Sequence, residues 1–295
     1  MNDSVLLSVG LPIALAIIMF GLGLSLTPGD FRRVVRTPKA VFVALTLQIL
    51  VLPLIAFGLV VVADVDPLIA VGVMLLAASP GGTTANLFSH LFRGDVALNV
   101  TLTAVNSVLA AVSIPLITNA AIVYFGAGDT LGLQFGKVVQ VIAIVLVPVG
   151  IGMLVRSRSA TFAARADRPV RVFSIVVLVL VSLGAILGER ENIAGYLQEI
   201  GVVVTLFCCA SLCLGYLGAR VFKLGREQAI ATSMEVGIHN TTVALTIALS
   251  VLDNTAVAIP AAVYSIVMYV LATLFGLVIT RSRTARTTAQ HDVTA

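Results

Sequence analysis

Nine runs of roughly twenty or more apolar residues follow one another almost without pause, at 4–26, 39–62, 67–91, 96–123, 133–155, 169–188, 196–219, 226–250 and 256–280. A helix needs about 20 such residues to cross the ~30 Å hydrocarbon layer. Lipid offers the backbone no hydrogen bonds, so runs of this kind must pair their own N–H and C=O groups as helices. Charged residues make up only 11% of the 295, against about 25% in soluble domains. Mean hydropathy is +1.10. These features predict an all-α membrane protein of about nine transmembrane helices, with the bilayer itself as a partner.

The links between runs set the orientation. Cytoplasmic loops carry the excess of Lys and Arg. With the N-terminus outside, the inward links and the tail hold sixteen of the 18 basic residues, among them Arg32, Arg33, Arg36, Arg93, Arg156, Arg158, Arg220 and Arg226. Lys137 and Arg190 alone fall on the other side. The chain is therefore expected N-out and C-in, in a cell inner or plasma membrane, with 281–295 as a cytoplasmic tail. The net charge of +4 comes from short links without interleaved aromatics, so nucleic acid is not an expected partner. No basic leader or small-residue cleavage site precedes the first run, and a retained helix is expected there. Cys208, Cys209 and Cys213 share one apolar run, which reads as small buried hydrophobes rather than a disulfide or metal pattern.

Two runs are interrupted. Ser79-Pro80-Gly81-Gly82-Thr83-Thr84-Ala85-Asn86 lies inside the third, and proline followed by two glycines cannot continue a helix. Glu235-Val236-Gly237-Ile238-His239-Asn240-Thr241-Thr242 lies inside the eighth. Runs 1–4 correspond in order to runs 6–9, which pairs the two interruptions and leaves run 5 over. An odd number of spans between the halves inserts them in opposite senses. That is the inverted-repeat arrangement of secondary transporters, in which two discontinuous helices cross near the bilayer midplane.

Glu235 is the one acidic residue well inside an apolar run, about 13 Å deep at 1.5 Å per residue. An intramembrane carboxylate points to function, the alternative being a protonated Glu bonded to a neighbouring helix. Asn86, Asn99 and Thr103 supply oxygen donors for a hard cation, with Asn106 one turn further along. Thr101 and Asn119 read as hydrogen-bonding glue between helices. The helix ends exposed at Thr83 and Asn240 suit a small organic anion, since free N–H groups there carry partial positive charge.

The run from Ser79 to Phe88, the Arg93-Gly94-Asp95-Val96-Ala97-Leu98 link, the Thr101-Leu102-Thr103 neighbourhood and Glu235-Val236-Gly237-Ile238-His239-Asn240 together resemble the bile acid:sodium symporter family. Met19-Phe20-Gly21-Leu22-Gly23-Leu24 and Asp30-Phe31-Arg32-Arg33 fit it too. The similarity covers essentially the whole chain, which in this comparison starts at the second of the ten helices that many bacterial members have. The resemblance implies one transporter domain over 4–280, with a panel from 4–26 and 133–188 and a core from 39–123 and 196–280. It implies a first Na⁺ site from Asn86, Asn99, Thr103 and Glu235. It implies a second from Gln48, Val236, Ile238 and His239, with substrate near Thr83 and Asn240. Ala85 and Asn99 stand where members commonly have Ser, and His239 where Gln is common. The expected function is Na⁺-coupled symport of a small organic anion by alternating access, with proton-coupled or uncoupled carriage as the alternative. A membrane-embedded enzyme lacks a third ligand or a nucleophile-base pair beside Glu235 and His239.

Overall fold

A computed structural model of the chain describes residues 11–131, 135–188 and 193–281. The start of the first run, the tail beyond 281 and the acidic link holding Glu189, Arg190 and Glu191 lie outside the described residues, as does any leader. The described residues are helical and form no strand. In chain order the helices are α1 (Leu11–Ser25), α2 (Pro28–Arg36), α3 (Pro38–Val62), α4 (Pro67–Ala78), α5 (Thr83–Leu91), α6 (Val96–Tyr124) and α7 (Gly128–Leu131). There follow α8 (Phe135–Arg158), α9 (Ala160–Gly188), α10 (Ile193–Val221), α11 (Arg226–Gly237), α12 (Thr241–Val251) and α13 (Thr255–Arg281). Four stretches, Pro38–Val62, Val96–Tyr124, Ile200–Val221 and Thr255–Thr280, are each long and apolar enough to cross a membrane unaided.

Two links are more ordered than the sequence suggests. The basic link after the first run folds as α2, bent 59° from the helix before it. Pro28 suits its first turn, and the Asp30 carboxylate accepts from both the amide and the hydroxyl of Thr27 at 2.7 Å, closing the N-terminus. The basic segment 156–171 is also helical, with only Ser159 unwound between α8 and α9. Several of the link arginines cap neighbouring carbonyls: Arg33 donates to Ala97, Arg156 to Leu24 and Arg226 to Ile279.

The tight links have a common construction. Asp64, Arg93, Lys223 and Asp253 take the left-handed backbone conformation, with φ of 50°, 60°, 59° and 52°. Each directly follows the end of a helix, where a residue of this handedness ends the helix and turns the chain back. Asp95 Oδ1 then accepts from the Leu98 amide at 2.9 Å, and Asn254 Oδ1 from the Val257 amide at 3.1 Å, capping α6 and α13. These four links are the ones that flank the two interrupted runs.

Packing sorts the helices. α1 lies mainly against α8 and α9. At its crossing with α8, Gly23 and Gly152 sit against the facing backbone, leaving no room for a side chain on either. The buried core is shared chiefly by α3, α4, α6 and α10–α13, with Leu15, Met19 and Leu22 of α1 and Val145 and Val149 of α8 packed into it. Of the three cysteines only Cys208 is buried; Cys213 is half-buried and Cys209 exposed, because one face of α10 looks outward. In α3 the helix widens into a π turn at Leu47–Val51, closed by Leu52 N–H to the Leu47 carbonyl. Pro53 just beyond has no N–H for the Ile49 carbonyl, and such a turn relieves the clash. Gln48 sits in that turn and is buried.

Candidate functional site

Helix α4 ends at Ala78 and α5 begins at Thr83, while α11 ends at Gly237 and α12 begins at Thr241. The two gaps adjoin. Gly82 N–H donates to the Ile238 carbonyl at 2.9 Å, and Asn240 N–H donates to the Pro80 carbonyl at 2.8 Å. A single antiparallel bridge pairs Gly81 with His239. Backbone groups that neither helix can satisfy are thus met by the opposite gap. Ser79 turns its hydroxyl back onto the Leu75 carbonyl, ending α4.

Glu235, in the last turn of α11, is buried against this crossing. Its Oε2 accepts from Thr103 Oγ1 at 2.6 Å and from Asn99 Nδ2 at 3.5 Å. The other oxygen, Oε1, is buried with no partner at hydrogen-bonding geometry, although the Asn106 side chain and the Gly81 N–H face the carboxyl group. Gly81 lies directly on the carboxyl group, so that a Cβ at position 81 would overlap it. Asn99 spends its amide N–H on the Ala231 carbonyl at 2.9 Å, leaving its own Oδ1 buried without a partner. Asn86 Oδ1, in the first turn of α5, is also buried and unpartnered. Thr103 and Asn99 therefore reach Glu235, and Asn86 lines the same cavity as Thr103. Three unsatisfied oxygens, one of them on a carboxyl group, are the donor chemistry a hard cation takes. Ala85 is fully buried and brings no oxygen.

The second set is differently arranged. Gln48 Nε2 donates to the Ser79 carbonyl at 3.1 Å and lies 3.5 Å from His239 Nε2. His239 Nδ1 is 3.1 Å from the Tyr264 hydroxyl, which donates to the Gly237 carbonyl at 2.8 Å. Val236 and Ile238 are buried, and the Ile238 carbonyl already accepts from Gly82. Thr101 bonds its own helix at the Ala97 carbonyl, in keeping with a structural role.

Beside the crossing lies a cavity of about 410 Å³, a size that suits a small ligand. Thr83, Asn86, Thr103 and Asn240 line its polar side, and Met19 and Leu22 of α1 line its apolar side. Asn240 caps α12, its Oδ1 accepting from the Val243 amide at 3.4 Å. The cavity runs along α5 as far as His90 and along α1 as far as Leu26, toward the ends that carry the Arg93 and Arg32 links. Sequence reasoning missed Tyr264, the cavity-lining Tyr269 and the α1 wall. The apolar run that holds Tyr264 carries hydroxyls also at Ser265, Tyr269 and Thr273, so nothing local singles Tyr264 out.

A family description, the Sodium Bile acid symporter family, matches residues 12–196. The chain is 32% identical over 255 residues to the "Uncharacterized sodium-dependent transporter YocS" of Bacillus subtilis, covering 86% of this chain and 78% of that protein. It is 29% identical over 276 residues to the "Probable sodium/metabolite cotransporter BASS1, chloroplastic" of Arabidopsis thaliana, covering 92% of this chain and 66% of that longer protein. It is 28% identical over 246 residues to the "Ileal sodium/bile acid cotransporter" of Oryctolagus cuniculus, covering 83% and 70%. These relatives are transporters, and the helices described above suit a multi-pass membrane protein. The chain belongs to the sodium bile acid symporter family.

Proposed function

We propose that this chain is a secondary active transporter that couples Na⁺ to the movement of a small organic anion. The observation that carries the reading is the unpartnered Glu235 oxygen at the crossing of two broken helices, with an unpartnered oxygen on Asn99, whose amide reaches the same carboxyl group, and another on Asn86, which lines the cavity with Thr103. A buried carboxylate without a counter-charge costs several kcal/mol, so it calls for a cation. Asn86, Asn99, Thr103 and Glu235 form the Na⁺ site in this reading. Gln48, Val236, Ile238 and His239 are the second candidate position. The names of the relatives, which mention sodium in each case, support the choice of ion.

The anion sits in the 410 Å³ cavity, its carboxylate at Thr83 and Asn240 and its apolar part against Met19 and Leu22. Nine spans in two inverted repeats carry this site, a pairing supported by the four left-handed links around the two breaks. The packing of α1 on α8 and α9 supports a panel of 4–26 and 133–188 set against a core of 39–123 and 196–280. The N-terminus faces outward, and the tail is cytoplasmic. The cavity extends toward the arginine-bearing ends, which makes this conformation the inward-open one. Sodium at Glu235 completes the crossing, and panel and core then shift to expose the cavity on the other side.

The test is a melting-temperature screen of purified protein against small monocarboxylates, in NaCl or in choline chloride, followed by uptake of each hit into proteoliposomes. Na⁺ is expected to raise the melting temperature, and a carboxylate to raise it further only with Na⁺ present. Glu235→Gln removes both effects while the protein remains folded. Uptake driven by a pH step without Na⁺ would replace this reading with proton coupling.

A further inference from the structure

This inference rests on the sodium-coupled reading and narrows it. We infer that the chain carries a single coupled Na⁺, because His239, Gln48 and Tyr264 close the second candidate position with hydrogen bonds of their own.

The proton positions follow from the partners. The Gly237 carbonyl can only accept, and Tyr264 has one proton, which it gives there at 2.8 Å. His239 Nδ1, 3.1 Å from the same hydroxyl, must then be the N–H donor. Its Nε2 is left with a lone pair. The Ser79 carbonyl fixes which end of the Gln48 amide is nitrogen, since the oxygen would face another oxygen there. The Gln48 N–H₂ group therefore bridges the Ser79 carbonyl and the imidazole lone pair.

A cation between Gln48 and His239 would meet amide hydrogens rather than oxygen. To bind one, the amide must turn over, breaking both contacts and setting its oxygen against Ser79. The imidazole cannot swing aside, because Phe207 and Tyr264 stand against it with ring centroids 5.5 and 5.3 Å away. The carbonyls of Gly237 and Ile238 are already engaged. One side-chain oxygen, Gln48 Oε1, stays unpartnered here, whereas the Glu235 position has three, one of them on a carboxyl group. Hard cations need several oxygen ligands. Replacing the imidazole by an amide would remove the lone pair that holds Gln48 and would add an oxygen.

The experiment is saturation binding of radioactive ²²Na⁺ to purified wild-type protein and to His239→Gln, with choline chloride as the balancing salt. Wild type is expected to bind one Na⁺ per chain. At low Na⁺, a tenfold rise in concentration should raise its occupancy about tenfold, as mass action on one site requires. His239→Gln is expected to bind two. Two ions in wild type overturn the inference, and so does one ion in both proteins, since His239 would then not be the obstacle. The wild-type stoichiometry at saturation needs no variant and decides the matter if His239→Gln does not fold. No saturable Na⁺ binding to wild type would overturn the sodium-coupled reading itself, and this inference with it.

Discussion

The two breaks that meet at the crossing are made by different means. The first is written in backbone chemistry: Pro80 has no N–H to continue α4, and Gly81 presents bare backbone to the Glu235 carboxyl. The second contains no proline and is held by side chains. Tyr264 takes the Gly237 carbonyl, Asn240 caps α12, and His239 ties the gap to α3 through Gln48. Consequently the first break depends on what is absent from it, and the second on groups supplied by α3, α10 and α13. The carboxyl group lies between them, touched by glycine on one side and by Thr103 and Asn99 on the other.

The largest expected difference is between alanine at the two glycines that face the breaks. In Gly81→Ala the new Cβ overlaps the Glu235 carboxyl, which is held by Thr103 and has nowhere to move. The expected outcome is at least a tenfold rise in the Na⁺ needed for half-maximal stabilisation, with a loss of roughly 1–3 kcal/mol of stability from overpacking. In Gly237→Ala the Cβ meets the side chain and Cα of Leu212, so the cost falls on packing against α10 and not on the carboxyl group. Its Na⁺ dependence should change by less than threefold. Equal effects in a Na⁺ titration of melting temperature would mean that Gly81 is not the wall of an ion site.

A smaller effect is expected from Tyr264→Phe. The substitution leaves the Gly237 carbonyl and the His239 Nδ1–H without their partner, and each buried unpaired group costs about 1–3 kcal/mol. The melting temperature should fall by a few degrees, while the Na⁺ affinity of the Glu235 position stays within about twofold. A melting temperature equal to wild type would show that the second break does not depend on this network.

The unequal construction explains what the sequence revealed. Pro80-Gly81-Gly82 and the lone buried Glu235 announce themselves, because proline, paired glycines and an acid are each costly within an apolar run. The oxygen donors Asn86, Asn99 and Thr103 are legible by their spacing, and the structure brings Asn99 and Thr103 onto the carboxyl group. The second network is not legible. Tyr264 and His239 are 25 residues apart, Gln48 is 191 from His239, and nothing local in the chain foretells that they meet. The π turn around Gln48 is equally hidden, since Pro53 within a helix signals a kink more often than a widened turn. The link helix α2 escapes a reading of its basic residues for orientation alone; its signal is the Thr27–Asp30 box that starts the helix.

The smallest effects test whether the outer flanks of the breaks are alike even though the breaks themselves differ. Asp95 and Asn254 occupy similar places: each lies one or two residues past a left-handed residue, precedes a long helix and accepts from the amide three residues on. Asp95→Ala and Asn254→Ala should each cost about 0.5–2 kcal/mol, the range for losing an N-cap. Asp95 should cost slightly more, since a negative charge at a helix start adds about 0.3–1 kcal/mol at low salt. That excess should shrink as salt is raised, whereas the Asn254 effect should not move. Both variants leave the carboxyl group and its oxygen neighbours untouched, so Na⁺ affinity should stay within a factor of about two. If one cap proves indispensable and the other silent in a melting comparison, the two links are not mechanical counterparts. The inverted pairing of the two halves would then lose the support it draws from these turns.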